Sequence, residues 1–339
     1  MSRSRRQFVA GLAALGAVAA LPRANRAEPA APTPPPPPAQ EHTAAPLICP
    51  FRLSVINDEI SQDFDLACSI ASRDFGLQWI ELRSMWDKNV TELNPDEVES
   101  ATQILDKYML RVTDIASPLF KTDWPGAPLS KESPQHDQFH AAFDFKQQDE
   151  LLKRCIKLAH AFRTDRIRCF DFWRLEDVKP YRDAINRRLR QAAHTCGKSN
   201  LLLVLENEMA CNTATGEEAA QTLAAVPESN FMLNWDPGNA ATFPGNTPYP
   251  NGYNLLPEHR IGHCHAKDVI RKPDGKPEWA PVGGGIVDWV GQFKALQSDG
   301  YRYAVSLETH WRGAGTPEAS TRISMKGLKE SLAHAGIRC

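Results

Sequence analysis

The chain has 339 residues, with 39 basic and 41 acidic side chains and a formal net charge of -2. This balance supplies no basic stripe for a polyanion, so nucleic acid is set aside as a partner. With an export segment removed, roughly 290 residues remain, near the size of a single (β/α)8 barrel and enough to bury one large core.

Ser4-Arg5-Arg6-Gln7-Phe8-Val9, followed by a small apolar stretch to Leu21, reads as a twin-arginine export signal. Its apolar run is too short for a permanent membrane span. Residues 1–27 are assigned to it, although Asn25 departs from the small-x-small pattern before Ala27. An uncleaved N-terminal anchor is the alternative. The twin-arginine export machinery is then a partner, and the expected location is the periplasm or another extracytoplasmic space. Residues 28–47 form a proline-rich linker, because the run Pro34 to Pro38 favours an extended polyproline helix and offers nothing periodic to bury. The eight cysteines are scattered without a CxxC pair, so they read as core residues, with one or two disulfides compatible with export.

From residue 48 to 339 strands and helices alternate. Strands are expected at 51–56, 79–82, 112–116 and 166–170. Four further apolar runs end in a ligand-type residue: 201–205 in Glu206, 231–235 in Asp236, 261–264 in His265 and 303–307 in Glu308. Helices are expected at 64–75, closed by Gly76, and at 95–108, 147–162, 216–225, 288–298 and 317–335, from apolar residues at helical spacing. This is the α/β pattern of a single-domain (β/α)8 TIM barrel. An open doubly wound sheet is the rival, but no Gly-x-Gly-x-x-Gly follows the first strand. The long loop from 117 to about 142, with Trp124, is a candidate cover for the site.

In a barrel the C-terminal ends of the strands share one rim, so Glu206, Asp236, His265 and Glu308 would face one centre. Three carboxylates and an imidazole suit one divalent cation, Mn2+ first, with Mg2+, Co2+ or Zn2+ also fitting. Alone, each has a plainer reading as a helix cap, an ion pair or a packed histidine; four on successive strands read as a ligand set. In an extended chain His263 shares a face with His265.

Leu205-Glu206-Asn207-Glu208, Asp236-Pro237-Gly238-Asn239, His263-Cys264-His265-Ala266-Lys267-Asp268 and Ser306-Leu307-Glu308-Thr309 together resemble the xylose isomerase-like TIM barrels, the sugar phosphate isomerase/epimerase superfamily. The resemblance implies that the metal ligands are Glu206, Asp236, His265 and Glu308, and that Glu206 and Glu308 also exchange the proton, as in its ketose 3-epimerases. It places Arg271 on substrate oxygens. One departure is Asn239, where those epimerases have histidine.

The expected activity is a metal-dependent sugar isomerase or epimerase, in which a proton beside a carbonyl is abstracted and an enediolate is stabilised by the cation. Glu206 and Glu308 act as base and acid. Lys267, Asn239, Glu208, His310, Glu81 and Arg83, with Asp58 and Glu59, orient a small sugar. Trp173 is a candidate stacking residue, with ordinary packing as the alternative. Lys267 could equally pair with a carboxylate. Gly283-Gly284-Gly285 alone is weak evidence for phosphate, and an exported enzyme meets unphosphorylated sugars. Rival readings are a metal-dependent sugar lyase or dehydratase, an abasic-site endonuclease, whose extra histidines are missing here, and a non-catalytic sugar-binding module. Homo-oligomer formation is left open.

Overall fold

The computed structural model describes residues 47–133 and 142–339. The expected signal segment, all of the linker before residue 47, and residues 134–141 of the 117–142 loop lie outside these residues.

Eight parallel strands form the barrel: β1 Arg52–Val55, β2 Trp79–Leu82, β3 Arg111–Leu119, β4 Arg166–Cys169, β5 Leu202–Glu206, β6 Phe231–Trp235, β7 Ile261–Ala266 and β8 Ala304–Leu307. Their order around the sheet is β1-β8-β7-β6-β5-β4-β3-β2. A parallel bridge between Ile56 and Glu81 brings β1 to β2 and closes the ring. Around it run α1 Phe64–Ser69, α2 Pro95–Lys107, α3 Gln148–Ala161, α4 Arg182–Gly197, α5 Gly216–Ala225, α6 Pro237–Thr242, α7 Trp289–Ser298 and α8 Pro317–His334. The sequence reading anticipated all eight strands and six of these helices, but not α4 or α6.

Strand alternation sorts the side chains. Val55, Ile80, Leu82, Ile167, Leu203, Leu205, Leu233, Val305 and Leu307 are buried in the core with apolar helix residues such as Leu105, Leu158, Leu189 and Leu328. The alternate positions, including Glu81, Arg166, Arg168, Asn234, His263, His265 and Ser306, are equally buried but polar. The barrel is therefore lined by groups that must satisfy one another, because buried polar atoms without partners are costly. Gly262 is required in this lining. A Cβ there would lie 2.9 Å from Met232 Cβ, and its carbonyl accepts a hydrogen bond from Arg166 Nε at 2.9 Å.

Local capping sets the helix starts. Asn94 and Glu97 form a reciprocal capping box with Pro95 in the first turn of α2. Thr215 and Thr316 cap α5 and α8. Asp236 caps α6 by accepting from Asn239 N at 2.7 Å, which leaves its second oxygen to the barrel mouth. After β7 a hairpin pairs Asp268–Arg271 antiparallel with Pro277–Ala280. The first and last described segments pair with each other. Leu47–Ile48 pair in parallel with Ile337–Arg338, and Cys49 is disulfide-bonded to Cys339. The other six cysteines are free thiols buried in the protein.

Candidate metal centre

Glu206 is the last residue of β5, His265 lies near the end of β7, and Asp236 and Glu308 each follow their strand directly. All four are at most 2% exposed. One ligand atom from each falls within 4.8 Å of all the others. His265 Nδ1 is the hub, 3.3 Å from Glu206 Oε1, 3.1 Å from Glu308 Oε2 and 3.9 Å from Asp236 Oδ2.

A further set of groups fixes these four. Glu81 on β2 faces the two histidines of β7, with Oε1 3.1 Å from His265 Nε2 and Oε2 3.0 Å from His263 Nε2. That contact turns Nδ1 of His265 toward the carboxylates. Arg168 on β4 donates to Glu206 Oε2 at 2.9 Å, and the Asn239 amide donates to Glu206 Oε1 at 3.1 Å. Arg83, 1% exposed, donates to Asp58, to Glu59 Oε1 at 2.8 Å and to Glu308 Oε1 at 2.6 Å. Lys267 Nζ sits 2.7 Å from Glu308 Oε2, 3.3 Å from Asp236 Oδ2 and 3.1 Å from Asn239 Oδ1.

The protonation pattern follows from these contacts. Burial alone would raise the Glu206 carboxyl, but His265 and Arg168 outweigh it and hold it at about 2. Burial is likewise overcome at Glu308, where Lys267, His310 and His265 hold the carboxyl well below the usual range. At Asp236 burial prevails over Lys267, and the carboxyl rises to about 7. Burial would lower His265, but Glu81, Glu206 and Glu308 together hold its proton well above the ordinary imidazole value.

These residues fit a divalent cation. Asp236 Oδ2, His265 Nδ1 and Glu308 Oε2 are buried atoms without a directed hydrogen bond, and all three turn toward the common centre. Three oxygen ligands and one imidazole nitrogen suit a hard or borderline ion, which would displace the proton from His265 Nδ1. Glu81 is the carboxylate behind the histidine ligand, a partner type that tunes metal affinity. Glu81→Gln is expected to weaken divalent-cation binding by roughly 10- to 100-fold in competition with a chromogenic chelator. Unchanged affinity would show that Glu81 only packs against the histidines.

Of the expected substrate contacts, Glu81, Arg83, Asn239, Lys267 and His310 gather at this centre. His310 has Nε2 3.1 Å from Glu308 Oε1, and adopts a positive φ of 47°, a strained conformation frequent at functional sites. Arg271 lies on the hairpin after β7. Its guanidinium caps the carbonyls of Ala241, Thr242 and Phe243 at the end of α6, because α6 packs against the hairpin that carries it. Trp173 is 5% exposed and packed with Phe170, Ala210 and Cys211. Glu208 pairs with Lys121 at 3.0 Å. Trp124 is packed edge-on against Phe172 and Phe145.

Three contributors were not anticipated. Arg168 was signalled by Arg166-Ile167-Arg168, which puts two cations on one face of a buried strand. Arg312 reaches Glu59 Oε2 at 2.9 Å. Trp279 covers Lys267, with the ammonium 4.9 Å from the ring centroid. Trp279 comes from the hairpin, whose turn Pro273-Asp274-Gly275 is a strong turn sequence.

Together these features define a (β/α)8 barrel with a candidate cation centre at the C-terminal rim, where barrels of this kind carry their sites. The chain belongs to the xylose isomerase-like TIM barrel family, whose model matches residues 70–331. It is 23% identical over 263 residues to "Putative L-ribulose-5-phosphate 3-epimerase SgbU" of Escherichia coli K12, covering 73% of this chain and 88% of that protein. Among solved structures it is similar to the "probable 3-DHS dehydratase AsbF" of Bacillus anthracis, with a TM-score of 0.61, 20% identity and coverage of 82% and 98% of the two chains. The D-psicose 3-epimerase of Clostridium cellulolyticum H10, solved with D-tagatose, gives a TM-score of 0.60 at 13% identity, covering 84% and 98%. At these identities the structural likenesses establish the fold.

Proposed function

We propose that the protein is a divalent-cation-dependent sugar isomerase or epimerase, which moves a proton on a carbon next to a carbonyl. The observation that carries this reading is the convergence of Glu206, Asp236, His265 and Glu308, with the carboxylates of Glu206 and Glu308 at 3.3 and 3.1 Å from His265 Nδ1. When bound, the cation supplies Lewis-acid polarisation of a substrate carbonyl and charge to balance the enediolate.

The chain's own groups do the rest. Glu206 and Glu308 enter from β5 and β8, and both are carboxylates at neutral pH, so either is able to accept a carbon-bound proton. Their surroundings differ. Glu206 is held by a guanidinium and an amide, whereas Glu308 is held by Arg83, Lys267 and His310. The Lys267 ammonium on the Glu308 side is a donor for a substrate oxygen that gains charge. The buried walls keep water from these groups.

An unphosphorylated sugar is the substrate class we infer. The backbone amides of Gly283, Gly285 and Val287, which would otherwise make a phosphate cradle after β7, donate instead to Asp268 at 3.0, 3.1 and 3.1 Å. An internal carboxylate thus fills that cradle, and Arg271 donates to the α6 carbonyls. An extracytoplasmic location belongs to the same proposal. The Cys49–Cys339 disulfide supports it, since such bonds persist in oxidising compartments.

The test is metal analysis of the purified protein followed by incubation with free and phosphorylated ketoses in D2O. Cation-dependent deuterium at carbon, in free sugars only, is the expected result, and product analysis then separates isomerisation from dehydration. A protein that takes up no cation and exchanges nothing would overturn the enzymatic reading.

A further inference from the structure

The hairpin after β7 carries Trp279, whose indole lies over Lys267. Val269 pairs with Trp279 in its ladder, so the chain leaves Lys267, turns at Pro273-Asp274-Gly275 and brings an indole back over the residue it has just passed. The Lys267 ammonium lies 4.9 Å from the indole centroid, inside the cation–π range of about 6 Å. The same indole meets the His310 ring at 5.4 Å, near perpendicular at 81°. Both groups reach the carboxylate of Glu308, Lys267 at Oε2 and His310 at Oε1.

The hairpin that holds the indole is itself pinned. Asp268 accepts from its own neighbour Val269 N at 2.9 Å as well as from the three loop amides. A Cβ on Gly285 would stand 2.0 Å from Asp268 Oδ1, so glycine at 285 is what lets the loop close on this carboxylate. Asp268 is 0% exposed and Lys267 2% exposed, while Trp279 is half-buried at the edge of the site.

A lysine ammonium ends a flexible four-carbon stem, and its position is costly to fix by charge alone. Here three oxygen neighbours, Glu308 Oε2, Asp236 Oδ2 and Asn239 Oδ1, attract it, and the negative face of the indole lies against it as well. We propose that Trp279 is a positioning residue, whose indole holds the ammonium of Lys267 and the imidazole of His310 in one arrangement at Glu308. The inference rests on the reading that Glu308 takes part in proton transfer. It adds a group that touches neither cation nor reacting carbon.

The test compares Trp279→Leu with Trp279→Phe in the cation-loaded full chain, using two independent measurements. In 15N lysine-ammonium spectra, with the Lys267 resonance assigned through Lys267→Arg, that resonance is expected to keep its slow exchange and ring-shifted position in the Phe variant and lose both in the Leu variant. In deuterium exchange with a free ketose, the Leu variant is expected to lose roughly 10- to 100-fold in kcat, the scale set by misplacing a reacting group. KM and cation affinity are expected to hold, and Phe to restore most of the rate.

Equal loss in both variants would overturn the proposal, as would a Leu variant that binds the cation poorly, because either would mark Trp279 as packing. An unmoved Lys267 resonance would overturn it whatever the rates. If the resonance responds while the unmodified protein exchanges no substrate proton, the positioning contact stands and the proposed reaction fails.

Discussion

Glu308→Gln is expected to lower substrate carbon–deuterium exchange by on the order of 10^2- to 10^4-fold, the usual contribution of a positioned general base or acid. The substitution keeps the size of the side chain but removes a charge on which Arg83, Lys267, His310 and His265 all converge. An amide also presents a donor where Arg83 already donates and where the Lys267 ammonium is held at 2.7 Å as an ion pair, so the loss includes a displaced ammonium. The measurement is made at saturating cation, so that weakened metal binding is separated from lost proton transfer. Glu206→Gln is run in parallel. Its polar partners among the described residues are Arg168, Asn239 and His265, and a difference between the two variants assigns the proton to one side of the site. Should both variants exchange at the unmodified rate, neither carboxylate moves the proton.

Arg83→Met is expected to cost about 3–5 kcal/mol of folding stability, the range for breaking a buried ion pair from one side. The guanidinium is 1% exposed and serves Asp58, Glu59 and Glu308. Burial would raise Glu59, and His310, Arg83 and Arg312 outweigh it to hold the carboxyl at about 2. Without Arg83 one of these acids must take up a proton or remain as an uncompensated buried charge. Arg83→Lys is expected to fall between, since an ammonium cannot fork to several carboxylates as a guanidinium does. Urea unfolding near neutral pH reads the effect. A loss for Arg83→Met no larger than that of an exposed salt bridge, about 1 kcal/mol or less, would show that the cluster is not held by Arg83.

The ligand set was legible because its residues end apolar runs in a fixed order, and strand ends in a barrel share a rim. The helices 95–108 and 317–335 were legible through their periodicity and the prolines near their starts. α4 was not anticipated, although Ile185, Leu189, Ala192 and Cys196 are spaced for it. Its four arginines at 182, 187, 188 and 190 dilute the apolar stripe. α6 is a single short stretch in which Asp236 acts as both cap and candidate ligand, and no periodicity develops in so few residues. Arg168 stands in a short strand that carries no apolar run, because its alternate positions face a polar barrel interior. Arg271 was placed by resemblance alone, and the end of α6 supplies a competing set of carbonyls that a linear reading does not show.

The pairing of Leu47–Ile48 with Ile337–Arg338 and the bond between Cys49 and Cys339 make the chain from residue 49 to residue 339 a covalent ring. A protease that cuts one loop inside that ring opens it without releasing a fragment, and both pieces stay tethered through sulfur. Reduction and a cut together are needed to part them. The native termini of the ring are already joined, so any exposed loop is a natural place to begin and end a circularly permuted form of the same barrel.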